Sequence, residues 1–171
     1  MKSSKLKIII LGILDKQSCH AYKIEKIIEK EQLREGVNIG FSTIYSVLKK
    51  LEDQSLLESK KVEQDNSPPR KVYHLNQAGR NYLKNLLETN LSQTENKLSN
   101  FEIALHYSDS LSKKELQESL QKYKKDLNTR IKHIIKKLTQ LSAEEKHKKD
   151  ILNRSLRMLR AEQEWLKELL L

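Results

Sequence analysis

The chain has 171 residues, is 37% apolar and 33% charged, and carries four glycines, two prolines and a formal net charge of +10. That balance favours long, solvent-rich helices over a large globular core, and the single cysteine, Cys19, excludes an intrachain disulfide or a cysteine metal cluster. Lys and Arg outnumber Asp and Glu by 16 to 11 in residues 1–90 and by 17 to 12 in residues 91–171, so the basic surplus points to a polyanion without locating the contact.

The apolar run Leu6–Leu14 follows Lys2 and Lys5 but is too short to span a bilayer. Asp15-Lys16-Gln17-Ser18 offers no small-residue cleavage site, so the run reads as a buried first helix capped by Ser3 or Ser4. Ser18 is expected to cap a second helix, His20 to Glu31, with Ala21, Ile24, Ile27 and Ile28 at three- and four-residue spacing. Residues 34–40 form a linker punctuated by Gly36 and Gly40. A third helix is expected from Ser42 to about Gln54, with Ile44, Val47, Leu48 and Leu51 inward.

Two short strands, near Leu57–Glu63 and Lys71–Leu75, follow. Pro68 and Pro69 are placed in the turn between them, because proline lacks the N–H that a sheet interior needs. Asn76 caps a further helix holding Tyr82, Leu83, Leu86 and Leu87. The order of three helices and two strands is that of a winged helix-turn-helix, which lays its third helix in a DNA major groove and its hairpin along the backbone.

Beyond residue 90 a short helix is expected over Leu91–His106. Ser112 opens a long one, with Glu115 completing a capping box. Its apolar positions, from Leu116 through Leu120, Leu127 and Ile131 to Leu141, follow a coiled-coil-like rhythm. After a polar break at Ser142–Asp150, a last helix carries Leu152, Leu156, Leu159, Leu166 and Leu170 on one stripe. The surplus apolar surface calls for a partner, and a second copy in two-fold symmetry is the simplest one. The expected fold class is therefore mainly α with a small β-hairpin. Residues 1–89 form a winged helix-turn-helix and residues 90–171 a helical dimerisation domain.

On this reading Ser42, Thr43 and Tyr45 in the first turn of the third helix reach phosphate or base edges, and Lys49 and Lys50 meet the backbone or a guanine edge. Arg70 and Lys71 beside the prolines contact phosphate. Tyr22 either places its hydroxyl on a phosphate or belongs to the core. The residues of the dimer contact are Leu152, Leu156, Leu159, Trp165 and Leu166. The five histidines are scattered, with no metal-ligand spacing and no catalytic arrangement, so no metal, cofactor or catalytic residue is assigned. A redox role for Cys19 beside His20 stays open.

The stretch Gly40-Phe41-Ser42-Thr43-Ile44-Tyr45-Ser46-Val47-Leu48-Lys49-Lys50-Leu51-Glu52 resembles the PadR family of transcriptional regulators. The likeness continues through Leu56-Leu57-Glu58-Ser59, the wing Pro68-Pro69-Arg70-Lys71-Val72-Tyr73, and Leu75-Asn76-Gln77-Ala78-Gly79-Arg80. Phe101–Leu105 and Glu162–Leu166 resemble, more loosely, the Vir-type C-terminal domain of longer members. Two departures stand out: Ser55 where the family usually has glycine, and Ala21 within His20-Ala21-Tyr22 where it often has glycine. The resemblance implies a cytoplasmic homodimeric repressor on a pseudo-palindromic operator. It further implies C-terminal helices interlocked across the two-fold axis and release by a small aromatic or cationic effector. Trp165 then stacks on a ligand or packs in the dimer core. The rival class is a helical structural or adaptor protein whose winged helix binds other proteins.

Overall fold

The computed structural model describes residues 2–31, 33, 40–64, 67–94 and 98–170; of 2–4, 41, 63–64 and 67–68 it describes the backbone only. The expected 34–39 stretch of the linker and any cap by the Ser3 or Ser4 side chain lie outside that description. The chain divides into two compact units, Met1–Glu95 and Asn96–Leu171.

The first unit holds α1 (Lys2–Lys16), β1 (Cys19–His20), α2 (Ala21–Lys30), α3 (Phe41–Asp53), β2 (Leu57–Gln64), β3 (Ser67–Leu75) and α4 (Gln77–Ser92). Helix α1 is apolar on most sides because it runs through the middle of the core, where Leu6, Ile10, Leu11, Ile13 and Leu14 are buried. Ile24 and Ile28 of α2, Ile44, Leu48 and Leu51 of α3, Leu57 and Leu75 of the sheet and Leu83 of α4 close around it. Each fully buried Leu or Ile contributes about 1.5–3 kcal/mol. The Nζ of Lys7 donates to the Tyr82 hydroxyl at 3.3 Å, adding a polar tie between α1 and α4.

The sheet has three antiparallel strands in the order β1-β3-β2. The two-residue β1, with Cys19 opposite Tyr73 and His20 opposite Val72, is an element the sequence pattern does not reveal. It also moves the start of α2. With Cys19 and His20 extended against β3, the cap passes from Ser18 to His20, whose Nδ1 accepts the Lys23 N–H at 3.1 Å.

The prolines are not in the turn. Val62 pairs with Arg70 and Gln64 with Ser67, so β3 spends one more residue than β2 across that interval. Pro68 and Pro69 occupy this bulge in β3, where no ladder N–H is demanded of them. Residues 65–66, between the strands, lie outside the described residues.

Helix α3 ends in a Schellman motif. The Ser55 N–H donates to Glu52 O at 2.8 Å and the Leu56 N–H to Leu51 O at 2.9 Å. Ser55 takes φ 56°, the one non-glycine positive φ among the described residues. The Asn76 side chain caps α4 through Gly79 N–H at 2.9 Å and donates to Ser55 O at 2.9 Å, pinning α4 to the α3 exit. A Cβ on Gly79 would lie 2.2 Å from Leu56 O, so this crossing admits only glycine.

The second unit holds α5 (Asn100–His106), a 3-10 turn (Ser108–Ser110), α6 (Lys113–Gln140) and α7 (Lys146–Leu169). The expected helix over Leu91–His106 is corrected: α4 keeps Leu91 and Ser92, Gln93 is extended, and α5 starts behind a capping box of Ser99 and Glu102. The Ser112–Glu115 box opens α6. Leu120, Leu127 and Ile131 of α6 pack on Leu156, Leu159 and Leu166 of α7 as an antiparallel hairpin. No described helix is long and apolar enough to cross a membrane.

Candidate nucleic-acid interface

The buried stripe of α3 dictates what it shows to solvent. Ile44, Leu48 and Leu51 are fully buried, which turns Ser42, Thr43, Tyr45, Ser46, Lys49 and Lys50 outward. Ser42 is not a cap. Gly40 is the N-cap, and its carbonyl accepts Thr43 N–H at 3.0 Å and Ile44 N–H at 3.3 Å. Ser42 and Thr43 therefore present their hydroxyls from the first turn, at the helix end that favours anions. Tyr45 is 45% exposed, so it is not a core residue.

Tyr22 is likewise a surface residue, 53% exposed. Its ring lies near-parallel to His20 with centroids 6.3 Å apart, and Lys26 Nζ sits 5.3 Å from its centroid. Burial, and then the charges of Arg70 and Lys23, hold the His20 imidazole below its usual range. Arg70 on β3 and Lys23 on α2 thus both act electrostatically on His20, a coupling between strand and helix that the sequence reading did not assemble.

Arg70 and Lys71 part company. Successive strand residues point to opposite faces. Lys71 shares the face of buried Tyr73, with its Nζ 5.4 Å from that ring's centroid. The same Nζ donates to Glu52 Oε2 at 2.7 Å, while Ser59 Oγ donates to Oε1 at 2.5 Å. The hydrogen bond from Lys71, then that from Ser59, draws the Glu52 carboxyl below its usual range, and the same bond raises Lys71. Both ends still meet water, so the pair contributes at most about 1 kcal/mol. Its geometric effect is larger: it joins the end of α3 to both wing strands. Lys61 stands opposite Lys71 in the ladder, a like-charge pairing that the Glu52 carboxylate relieves. Glu52 and Ser59 were missed from sequence because the contact spans helix and sheet. Lys61 was missed because β2 register is set only by pairing.

Burial pushes the Cys19 thiol up, against the weaker pull of Lys23, which is the opposite of an activated thiolate. Among the described residues, no three His, Cys, Asp or Glu side chains group as metal ligands.

In the second unit, Leu156, Leu159 and Leu166 are 9%, 7% and 1% exposed, with their apolar surface spent on α6 of the same chain. Leu152 is half-buried. Trp165 is 39% exposed, with its ring edge-on to Phe101 at 5.9 Å between centroids. Phe101 stacks on Tyr123 at 4.2 Å, and the Tyr123 hydroxyl donates to Glu162. Burial and that hydrogen bond push Tyr123 up to about 12.

Three helices with α3 exposed along one side, followed by a two-stranded wing locked to its end, make the first unit a winged helix-turn-helix. Residues 10–85 match the family described as the transcriptional regulator PadR-like family. No curated protein matches the chain. Bacillus subtilis PadR in complex with operator DNA is 23% identical, with 96% of each chain covered and a TM-score of 0.78. The complex of Bacillus subtilis PadR with p-coumaric acid is 22% identical, covering 98% of this chain and 94% of that one, at 0.73. The Streptococcus mutans protein smu.1604c is 25% identical, covering 96% of this chain and 97% of that one, at 0.61. These likenesses extend the shared fold over the second unit.

Proposed function

We propose that the protein is a cytoplasmic, DNA-binding transcriptional repressor that reads a pseudo-palindromic operator as a homodimer and is released by a small aromatic or cationic effector. The observation that carries the reading is the outward face of α3 beside the wing. Hydroxyls of Ser42, Thr43 and Tyr45 and the cations Lys49 and Lys50 share one helix face. In this reading the first turn of α3 selects sequence, whereas Lys49, Lys50, Arg70 and the Tyr22 hydroxyl hold phosphate. Lys71 braces the wing through Glu52. Residues 1–89 serve as the DNA-binding domain and 90–171 as the dimerisation domain. The operator and p-coumaric acid complexes of Bacillus subtilis PadR support DNA and a small-molecule effector as partners.

Fluorescence anisotropy with a duplex from the region upstream of the gene, at two salt concentrations, tests this. Affinity is expected to fall steeply with salt and to exceed that for a scrambled duplex. Affinity indifferent to both sequence and salt overturns it. A stable dimer that ignores DNA would favour the adaptor class.

A further inference from the structure

The basic surplus of the chain is concentrated outside the winged helix-turn-helix. Residues 122–160 hold 13 Lys and Arg against 4 Asp and Glu, and the rest of the chain holds 20 against 19. Nearly all of the net charge of +10 therefore belongs to the parts of α6 and α7 that flank the turn between them.

The face of α6 that carries this charge follows from its buried one. Leu120, Leu127 and Ile131 are committed to α7. Lys122, Lys125, Thr129, Lys132, Lys136 and Thr139 recur at steps of 3, 4, 3, 4 and 3, which sets them in one row on the opposite side, and all six are exposed. Thr129 and Thr139 donate to the Lys125 and Lys136 carbonyls at 3.0 and 2.8 Å, so their hydroxyls turn back onto the helix and the row presents lysine charge alone. Among the described residues none of these four lysines is paired with a carboxylate, whereas Lys148 is held by Glu145 at 3.0 Å.

The length and chemistry of the row indicate its partner. From Lys122 to Lys136 an α-helix rises about 21 Å, at about 1.5 Å per residue. Duplex DNA carries about one charge per 1.7 Å of axis, so a row of that length faces several phosphates at once, whereas a small anion would meet one or two of the cations. The row has no apolar or aromatic member to enter an acyl layer, which an interfacial membrane helix needs. Lysines on a convex helix surface hold phosphate as point charges and offer no paired donors to a base edge.

We infer that the Lys122–Lys136 row of α6 is a second DNA-binding surface, one that grips duplex phosphate without regard to sequence. The choice of DNA as the polyanion rests on the DNA-binding reading above, but the row needs no residue of α3 or the wing.

The test is the full chain carrying Lys125→Gln, Lys132→Gln and Lys136→Gln together, titrated by anisotropy against a scrambled duplex across a salt series. Its log–log salt slope is expected to be shallower than that of the unchanged protein by about 2–3, slightly less than one per lost phosphate contact, with low-salt affinity reduced by roughly tenfold or more. Lys125→Arg, Lys132→Arg and Lys136→Arg together should keep the slope. An unchanged slope in the glutamine protein, or a slope lost equally in the arginine protein, overturns the proposal. Arg70→Ala separates the two readings. Weaker binding of the upstream duplex by Arg70→Ala, beside an unchanged slope in the glutamine protein, leaves the wing standing and removes the row. The reverse pair of results removes the wing and keeps the row. Cosedimentation with phosphatidylserine vesicles that the glutamine protein loses, beside an unchanged duplex slope, assigns the row to a membrane surface and overturns the DNA assignment.

Discussion

Replacing Ser55 with glycine should stabilise the DNA-binding unit, because Ser55 holds φ 56° at the exit of α3. A side chain in the left-handed region costs about 1–2 kcal/mol, from the clash of Cβ with the following carbonyl. Glycine removes that clash but returns roughly 0.5–1 kcal/mol through the greater freedom of the unfolded chain. The net gain is therefore about 0.5–1 kcal/mol. Nothing else need change, since the two Schellman bonds and the bond from Asn76 use only Ser55 backbone atoms. The fitting assay is native-state amide exchange at Leu48 and Leu51, which are fully buried in α3. Their slowest exchange should fall about 2–5-fold, which is that energy expressed as an opening constant. Trp165 fluorescence in urea reports the other unit and should not move. Ser55→Ala keeps the Cβ and should gain nothing. Equal protection in the serine, alanine and glycine proteins would refute the strain argument.

Gly79→Ala should cost about 3 kcal/mol or more, because the new methyl meets Leu56 O at 2.2 Å and Leu75 Cδ1 at 2.5 Å; a urea titration followed by circular dichroism measures it. Arg70→Ala should weaken binding to all duplexes alike and flatten the salt dependence by about 1 in log–log slope per lost phosphate contact. Lys71→Ala should leave that slope unchanged, because its charge is engaged by Glu52. Thr43→Ala should change preference among duplexes, and competition anisotropy reads that directly. The fold lowers the proton affinity of His20 below its ordinary 6.5. The unfolded chain therefore takes up more protons as pH falls through about 6.5, and stability declines there until His20 itself is protonated. His20→Asn keeps a capping oxygen without titrating, so this decline should vanish from denaturation curves taken across pH 5–7.5.

Much of the architecture lies in short-range pattern. The three- and four-residue spacing of Ile44, Val47, Leu48 and Leu51 defines both the helix and its outward face, so Thr43, Lys49 and Lys50 fall on the surface without reference to any other element. Ser112 with Glu115 and Asn76 with Gly79 mark helix starts by chemistry that acts within one turn. The family resemblance in the α3 and wing motifs adds to this reading.

What local pattern could not supply is pairing across the chain. β1 exists only because Cys19 and His20 meet β3, and that contact moves a helix cap by two residues. The two prolines look like a turn until the register shows an extra residue in β3 that accommodates them. Arg70 and Lys71 are neighbours in sequence with one charge and apparently one task. The pleat sends them to opposite faces, and only Lys71 finds Glu52. On α7 the leucine stripe was legible as apolar, but its partner was not. Periodicity says that a face must be covered; only tertiary packing decided that α6 covers Leu156, Leu159 and Leu166 and leaves Ile151, Met158 and Trp165 in water.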